Sequence, residues 1–159
     1  MKKKLIFSVI ALLIYACSGE SKKEEQKSEG GSTLKDMMED TTGAAEEAKG
    51  IGKFKSVELS QNLDPKMAAV GSGIYDLKCL SCHKLTKEKV VGPGWEGVTQ
   101  RRKPEWIMNF VTNVEEMLEK DAESQAMLEI CMVRMPNQNL SDDDARAVLE
   151  FMRKNDGVK

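Results

Sequence analysis

The chain has 159 residues with a formal net charge of −2, 31% charged residues and 5% aromatic residues. This balance, without a basic stripe carrying interleaved aromatic side chains, argues against nucleic-acid binding. One histidine and four cysteines are present. Any site that needs two histidines from the same chain is therefore excluded.

The first residues have the pattern of a secretory signal. Lysines at positions 2–4 form a basic start, and the run from Leu5 to Ala16 is apolar. About a dozen apolar residues are too few to cross a bilayer as a helix, so the run is typical of a signal peptide. The sequence predicts a signal peptide over residues 1–16 and export to the cell envelope.

The apolar run ends in Ile14-Tyr15-Ala16-Cys17, which resembles a bacterial lipobox. The resemblance implies cleavage before Cys17 and a lipid on its sulfur. An ordinary signal peptide with a chance cysteine is the alternative, but small Ala16 and the polar residues after Cys17 favour the lipoprotein. We expect the protein to be anchored to a membrane and to face the periplasm.

Residues 17–61 are predicted to form the lipid anchor and a flexible linker. The segment from residue 18 to residue 60 is rich in Lys, Glu, Ser, Gly and Thr, and its one aromatic residue is Phe54. Such a composition buries too little apolar surface to offset the entropy of ordering the chain. As a coil this segment has an r.m.s. span of about 35–40 Å.

Residues 62–159 are predicted to form one all-α domain. Its first helix starts at Asp64-Pro65, because aspartate is a good N-cap and proline is favoured at the first helical position. Residues 86–100 follow this helix and contain three glycines and one proline. They are predicted to form a loop.

Three further helices are predicted after that loop. Pro104 opens the second helix, in which apolar residues recur at helical spacing from residue 106 to residue 114. The third helix covers residues 121–131. The last begins at Ser141, and the three aspartates that follow place negative charge at the positive end of the helix.

The motif Cys79-Leu80-Ser81-Cys82-His83 lies at the end of the first predicted helix. This spacing is the attachment sequence for a c-type haem, in which both thiols add to vinyl groups and the histidine binds the iron. A redox dithiol would need a βαβ pattern, and a zinc site would need Cys131 as its fourth ligand. We expect Cys131 to pack in the interior instead.

From residue 65 to residue 154 the chain resembles the class I monohaem cytochromes c. Gly71 and Tyr75 precede Cys79 by eight and four residues, as in the N-terminal helix of that family, and Phe151 stands where the family has its partnering aromatic. The resemblance implies helices wrapped round one covalently bound haem c, with a small residue where the two terminal helices cross.

The resemblance also implies roles for two residues near the haem. Gly92-Pro93-Gly94-Trp95 resembles the family's loop whose proline carbonyl accepts a hydrogen bond from the proximal histidine. Pro93 would thereby orient His83. Trp106 is expected to donate its indole N–H to a haem propionate, with plain packing as the alternative.

The sixth ligand of the iron is expected to be a methionine, because His83 is the only histidine. Met135-Pro136 matches the family's Met-Pro segment, which implies Met135 as the ligand. Met132 and an open site remain alternatives. The helical methionines are expected to pack as core fillers.

The resemblance implies single-electron transfer by a monomeric carrier rather than catalysis. The donor would be a quinol-oxidising complex or another redox protein, and the acceptor a terminal oxidase or an anaerobic reductase such as nitrous oxide reductase. A basic segment at residues 84–103 and an acidic one at residues 115–129 could orient such partners, or could be a solvated mixture of charges. A haem enzyme or sensor with an open distal site, and a cytochrome subunit fixed in a larger complex, are the alternatives.

Overall fold

The computed structural model describes residues 48–159, so the predicted signal peptide, Cys17 and most of the predicted linker lie outside the described residues. The described part contains six helices and no strand, which confirms the all-α prediction for that part. The helices are α1 (Pro65–Lys78), α2 (Val98–Arg101), α3 (Pro104–Thr112), α4 (Val114–Lys120), α5 (Ala122–Cys131) and α6 (Asp142–Asn155). None of these helices has the length and apolar character needed to cross a bilayer.

The N-termini of α1 and α6 begin where the sequence predicts. The Asp64 side chain accepts hydrogen bonds from the amides of Lys66 and Met67. Ser141 and Asp144 form a reciprocal capping box at the start of α6. These caps satisfy amide donors that have no partner within the helix.

Helices α1 and α6 form the most extensive helix–helix contact of the described residues. At their crossing, a Cβ on Gly71 would overlap the carbonyl of Ala147 and lie 2.8 Å from the Cβ of Phe151. One turn further along α1, the rings of Tyr75 and Phe151 are 5.4 Å apart. The small residue and the aromatic pair predicted for this crossing are both present.

Two details of the helices differ from the prediction. The predicted loop at residues 86–100 ends in the short helix α2, whose start is held by the carboxylate of Asp156 through the Gly97 amide (2.6 Å) and the Thr99 amide (2.8 Å). The second predicted helix is interrupted at Asn113, which leaves the helical region with φ −139° and ψ 48°. The start of α2 therefore depends on a contact that is distant in sequence.

Residues 49–60 pack on the domain and form what we call the N-terminal strap. The Asn109 side chain, fully buried in α3, donates to the carbonyls of Lys49 and Phe54 (both 3.0 Å) and accepts from the Phe54 amide (2.9 Å). The Ile51 amide lies 2.9 Å from Sδ of Met117. The predicted linker boundary at residue 61 is therefore corrected, because hydrogen bonds hold the backbone of this polar segment and its few apolar side chains, Ile51, Phe54 and Val57, pack against the core.

Candidate functional site

The Cys79–His83 motif forms a tight turn directly after α1. The carbonyl of Cys79 accepts hydrogen bonds from the amides of both Cys82 (3.0 Å) and His83 (2.9 Å). Cys79 is buried and Cys82 is half-buried. The turn brings two thiols and one imidazole together within five residues, and its helical start at α1 fixes its direction.

The Cys79 thiol is in an environment that suppresses ionisation. Burial raises its pKa to about 11, and the opposing effect of the nearby Lys78 charge is smaller. At neutral pH the group is therefore a thiol rather than a thiolate.

His83 is held from two sides. Its Nδ1 lies 2.8 Å from the carbonyl oxygen of Pro93, which is the hydrogen bond predicted from the Gly-Pro-Gly segment. Tyr75 donates its hydroxyl hydrogen to the His83 carbonyl at 2.8 Å. With Nδ1–H donating to Pro93, the lone pair of Nε2 is free to bind a metal.

The environment of His83 keeps the ring neutral. Burial lowers its pKa, and this effect exceeds the opposing influence of the Pro93 hydrogen bond. Since only the neutral imidazole binds iron, the lowered pKa widens the pH range over which the ligand is available.

Gly92 is a site residue that the sequence analysis did not single out. A Cβ at this position would lie 2.8 Å from both ring nitrogens of His83, so only glycine leaves room for the imidazole. The Gly92 amide also donates to the Cys82 carbonyl at 3.0 Å. The signal was present in the Gly-Pro-Gly run, but the run alone does not show that its first glycine touches the histidine.

An apolar cavity connects His83 with the segment that carries Met135. The cavity has two adjoining lobes, and His83, Pro93 and Met135 line both of them. The walls are mainly aliphatic and aromatic, as is common for cofactor sites. Representative lining residues are Trp95, Phe110, Val111, Leu118, Met127 and Met152.

Met135 lies in a loop between α5 and α6, which we call the Met135 loop (residues 133–140). Met135 is half-buried and lines the cavity. Met132 ends α5 in the left-handed conformation (φ 56°) and its side chain is 84% exposed. The geometry therefore favours Met135 over Met132 as a residue that reaches the cavity interior.

Trp106 does not have the hydrogen bond expected for it. Its ring lines the cavity, but its indole N–H donates to Oδ1 of Asp121 at 3.1 Å. The same oxygen caps α5 by accepting from Ser124. The predicted bond from Trp106 to a propionate is corrected, because a buried carboxylate already takes the only donor of the indole.

Cys131 is half-buried and lines the same cavity as Cys82. Cysteines 79, 82 and 131 are all free thiols. Within residues 48–159 no group of three or more His, Cys, Asp or Glu side chains is arranged to hold a metal ion. The zinc interpretation thus has no support in the described part of the chain, and Cys131 takes part in the apolar lining.

Comparison with known proteins assigns the family. The cytochrome c family matches residues 68–156, which is more than half of the chain. A solved cytochrome c from Rhodothermus marinus is 32% identical, with a TM-score of 0.66 over 70% of this chain and 95% of that chain. The search of curated proteins gave no match. The chain belongs to the cytochrome c family.

Two further solved structures are engineered cytochromes c from Rhodothermus marinus. One has 31% identity and a TM-score of 0.66, covering 70% of this chain and 96% of that chain. The other, bound to a carbene intermediate, has 31% identity and a TM-score of 0.63 at the same coverage. With the fold and the family match, these neighbours define a class I cytochrome c, a haem-based electron carrier with one covalently bound haem c.

The described residues fit this cofactor. A porphyrin needs an apolar cavity open to two thiols, a neutral imidazole on one side and space beside the ring, and the Cys79–His83 turn, Gly92 and the cavity provide these. Cys79 and Cys82 would hold the haem, and His83 and Met135 would bind its iron. When bound, the haem supplies reversible one-electron chemistry.

Proposed function

We propose that this protein is a lipid-anchored, periplasm-facing monohaem cytochrome c that passes single electrons between redox proteins. The observation that carries the proposal is that His83 and Met135 line the same apolar cavity, next to the cysteine-bearing turn. If His83 and Met135 both bind the iron, no coordination position would remain for a substrate. The protein is a carrier rather than an enzyme.

The residues around the cavity have different roles in the proposed electron transfer. Pro93 and Tyr75 hold His83 in one orientation, so little rearrangement accompanies a change in iron charge. The thioether of Met135 is a soft ligand that favours the ferrous state. The apolar walls exclude water, which also favours the form with lower net charge. Together these features support a potential above that of a bis-histidine haem.

The membrane anchor is proposed on sequence alone, from the signal peptide and Cys17. Because the strap packs on the domain, the free tether would run only from residue 18 to residue 48. A coil of that length spans about 30 Å. Such a tether lets the haem reach a quinol-oxidising donor and then a terminal oxidase or an anaerobic reductase, for which nitrous oxide reductase is one candidate.

The ligand assignment is tested with Met135→Ala and the matched control Met132→Ala. Met135→Ala should abolish the red-edge absorption band of methionine-ligated ferric haem, lower the potential and open the iron to cyanide. Met132→Ala should leave all three unchanged, because that side chain is exposed. The assignment is wrong if Met132→Ala, and not Met135→Ala, removes the band.

The anchor and the covalent haem are tested on the mature protein. Its intact mass should correspond to a chain that starts at Cys17 with acyl groups and one haem retained after acid–acetone extraction. Cys17→Ser should release the protein from membranes without changing its visible spectrum. Haem that extracts freely would refute covalent attachment, and a membrane-bound Cys17→Ser protein would refute the lipid anchor.

The carrier role is tested through the tether. Shortening residues 18–48 to about ten residues should slow respiration through the anchored protein, because the r.m.s. reach falls to about 17 Å. The potential and the thermal unfolding of the domain should not change. Equal respiratory rates with long and short tethers would favour a cytochrome fixed in one complex.

A further inference from the structure

The Met135 loop is not held by the backbone of the rest of the domain. None of the backbone–backbone hydrogen bonds of the described residues involves residues 133–140. Two non-glycine residues with positive φ lie at the two ends, Met132 (φ 56°) directly before the loop and Asn139 (φ 52°) near its close. Other interactions must therefore determine where the loop lies over the cavity.

Two lysines close to the Cys79–His83 turn bond to carbonyls on either side of Met135, one in the last turn of α5 and one within the Met135 loop. Nζ of Lys78 donates to the carbonyl of Gln138 at 2.8 Å, and Nζ of Lys89 donates to the carbonyl of Ile130 at 2.8 Å. Lys78 directly precedes Cys79, and Lys89 lies between His83 and Pro93 in the chain. One accepted carbonyl lies before Met135 and the other after it.

Both carbonyls are acceptors that gain from a cation. The Ile130 carbonyl is in the last turn of α5, where carbonyls lack a partner within the helix and the helix dipole is negative. The Gln138 carbonyl is in the Met135 loop, where no backbone amide bonds to it. Hydrogen bonds from an ammonium group are stronger than those from neutral donors, although exposure to water weakens them.

We propose that Lys78 and Lys89 are positioning residues that hold the Met135 loop closed over the cavity and so keep Met135 on the iron. This inference rests on the proposed function, in which Met135 is the ligand. Neither lysine binds the iron. Lys78 resists outward movement of the loop itself, and Lys89 resists outward movement of the end of α5, from which the loop starts. The pair would thus connect the segment that carries His83 to the segment that carries Met135.

The test uses the full-length holoprotein with Lys78→Ala, Lys89→Ala, the double variant and Lys84→Ala. Lys84 is an exposed lysine next to His83 whose side chain has no hydrogen bond to α5 or to the Met135 loop, so it controls for loss of positive charge near the haem. The rate of cyanide binding to the ferric protein, at saturating cyanide, reports opening of the loop. Amide hydrogen exchange of residues 133–140 reports the same opening without cyanide.

Each single variant should bind cyanide about threefold faster than the parent, and the double variant about tenfold faster. Exchange of the loop amides should accelerate in step, while thermal unfolding changes little. Lys84→Ala should behave as the parent. Lys78→Arg and Lys89→Arg should restore slow opening, because arginine retains a cationic donor.

Two failures are distinguishable. If the parent lacks the methionine–iron band, the assignment of Met135 is wrong and the inference falls with it. If the parent has the band but the double variant opens at the parent rate, the ligand assignment stands and the inference alone is overturned. The same conclusion follows if Lys84→Ala accelerates opening as much as the other two, because a general charge effect then explains the result.

Discussion

His83 and Met135, the two residues proposed to bind the iron, are held by different kinds of structure. The turn that carries His83 is tied to its neighbouring loop through backbone hydrogen bonds, from the Gly92 amide to Cys82 (3.0 Å) and from the Trp95 amide to Lys84 (2.8 Å). Among residues 48–159, every hydrogen bond of the Met135 loop involves a side chain. Substitutions around the turn that carries His83 should lower the free energy of unfolding. Substitutions in the Met135 loop should instead change how the iron is bound, at nearly constant stability.

The largest effect on stability is expected at Glu150, a residue of α6 that is hydrogen-bonded to the residue capping α1. Its carboxylate is 1% exposed and accepts from the Asp64 amide (2.8 Å), Arg146 (2.7 Å) and Arg153 (2.8 Å). Glu150→Gln leaves Arg153 buried without its counter-charge and should lower the free energy of unfolding by about 4 kcal/mol. Urea unfolding measures this loss, and an unchanged midpoint would contradict it.

The same carboxylate should make stability depend on acid. Burial alone raises the pKa of Glu150, but hydrogen bonds from the Asp64 amide and the two arginines outweigh it and the net pKa is lowered. Ionised Glu150 therefore stabilises the fold above its unfolded pKa of about 4.3, and the stabilisation is lost as pH falls through the folded pKa. Urea midpoints from pH 7 to pH 3 should fall, with a shallower fall in Glu150→Gln.

The next effect is expected where α1 crosses α6. Gly71→Ala forces a methyl group against the Ala147 carbonyl and should lower the free energy of unfolding by about 3 kcal/mol. Gly73→Ala is the matched control in the same helix, because nothing lies within 4 Å of a Cβ there. It should raise stability by about 0.5–1 kcal/mol through helix propensity. Similar melting temperatures for the two variants would refute the close crossing.

Gly92→Ala should have a smaller effect on stability but a clear effect on the iron. The new methyl group would press on the His83 ring, at a cost of about 2 kcal/mol. Displacing the ring strains the hydrogen bond to Pro93, so the ferric spectrum and the potential should both change. An unaltered spectrum would show that the ring and this glycine are not in contact.

The smallest effect is expected at the Met135 loop. Arg134 pairs with Glu115 at 3.0 Å, and both side chains are more than half exposed. Arg134→Gln should lower the free energy of unfolding by about 0.5 kcal/mol or less. Arg146→Gln, which removes one of the two arginine partners of the buried Glu150, is the matched contrast and should cost several times more. Equal losses would remove the distinction between the two regions.

The sequence predicts the starts of α1 and α6 and the Cys79–His83 turn well, because the sequence patterns that mark them are local. Asp64 and Ser141 mark helix starts through bonds to amides two or three residues away. The cysteine motif and the Gly-Pro-Gly run are short patterns with one common structural meaning. Short stretches of sequence are therefore enough to predict the fold class and the Cys79–His83 turn.

The parts that the sequence does not predict depend on partners distant in the chain. Asn109 appears in the sequence as an ordinary polar residue of a helix, yet it is buried by bonds to backbone about 55 residues away. Trp106 is bound by Asp121, fifteen residues later, and not by the cofactor. Composition and periodicity carry no information about such pairs. From them alone, residues 49–60 are predicted to belong to the linker and the Trp106 indole is predicted to bind a propionate.

The N-terminal strap determines where a pulling force enters the domain. Tension on the chain before residue 48 would first stretch the hydrogen bonds from the Asn109 side chain to the carbonyls of Lys49 and Phe54. It would then stretch the hydrogen bond from Arg153 to the Ser60 carbonyl (2.6 Å). The force would reach α1 and the Cys79–His83 turn only after these hydrogen bonds have broken. Under tension the strap should therefore detach from α3 before the Cys79–His83 turn is stretched.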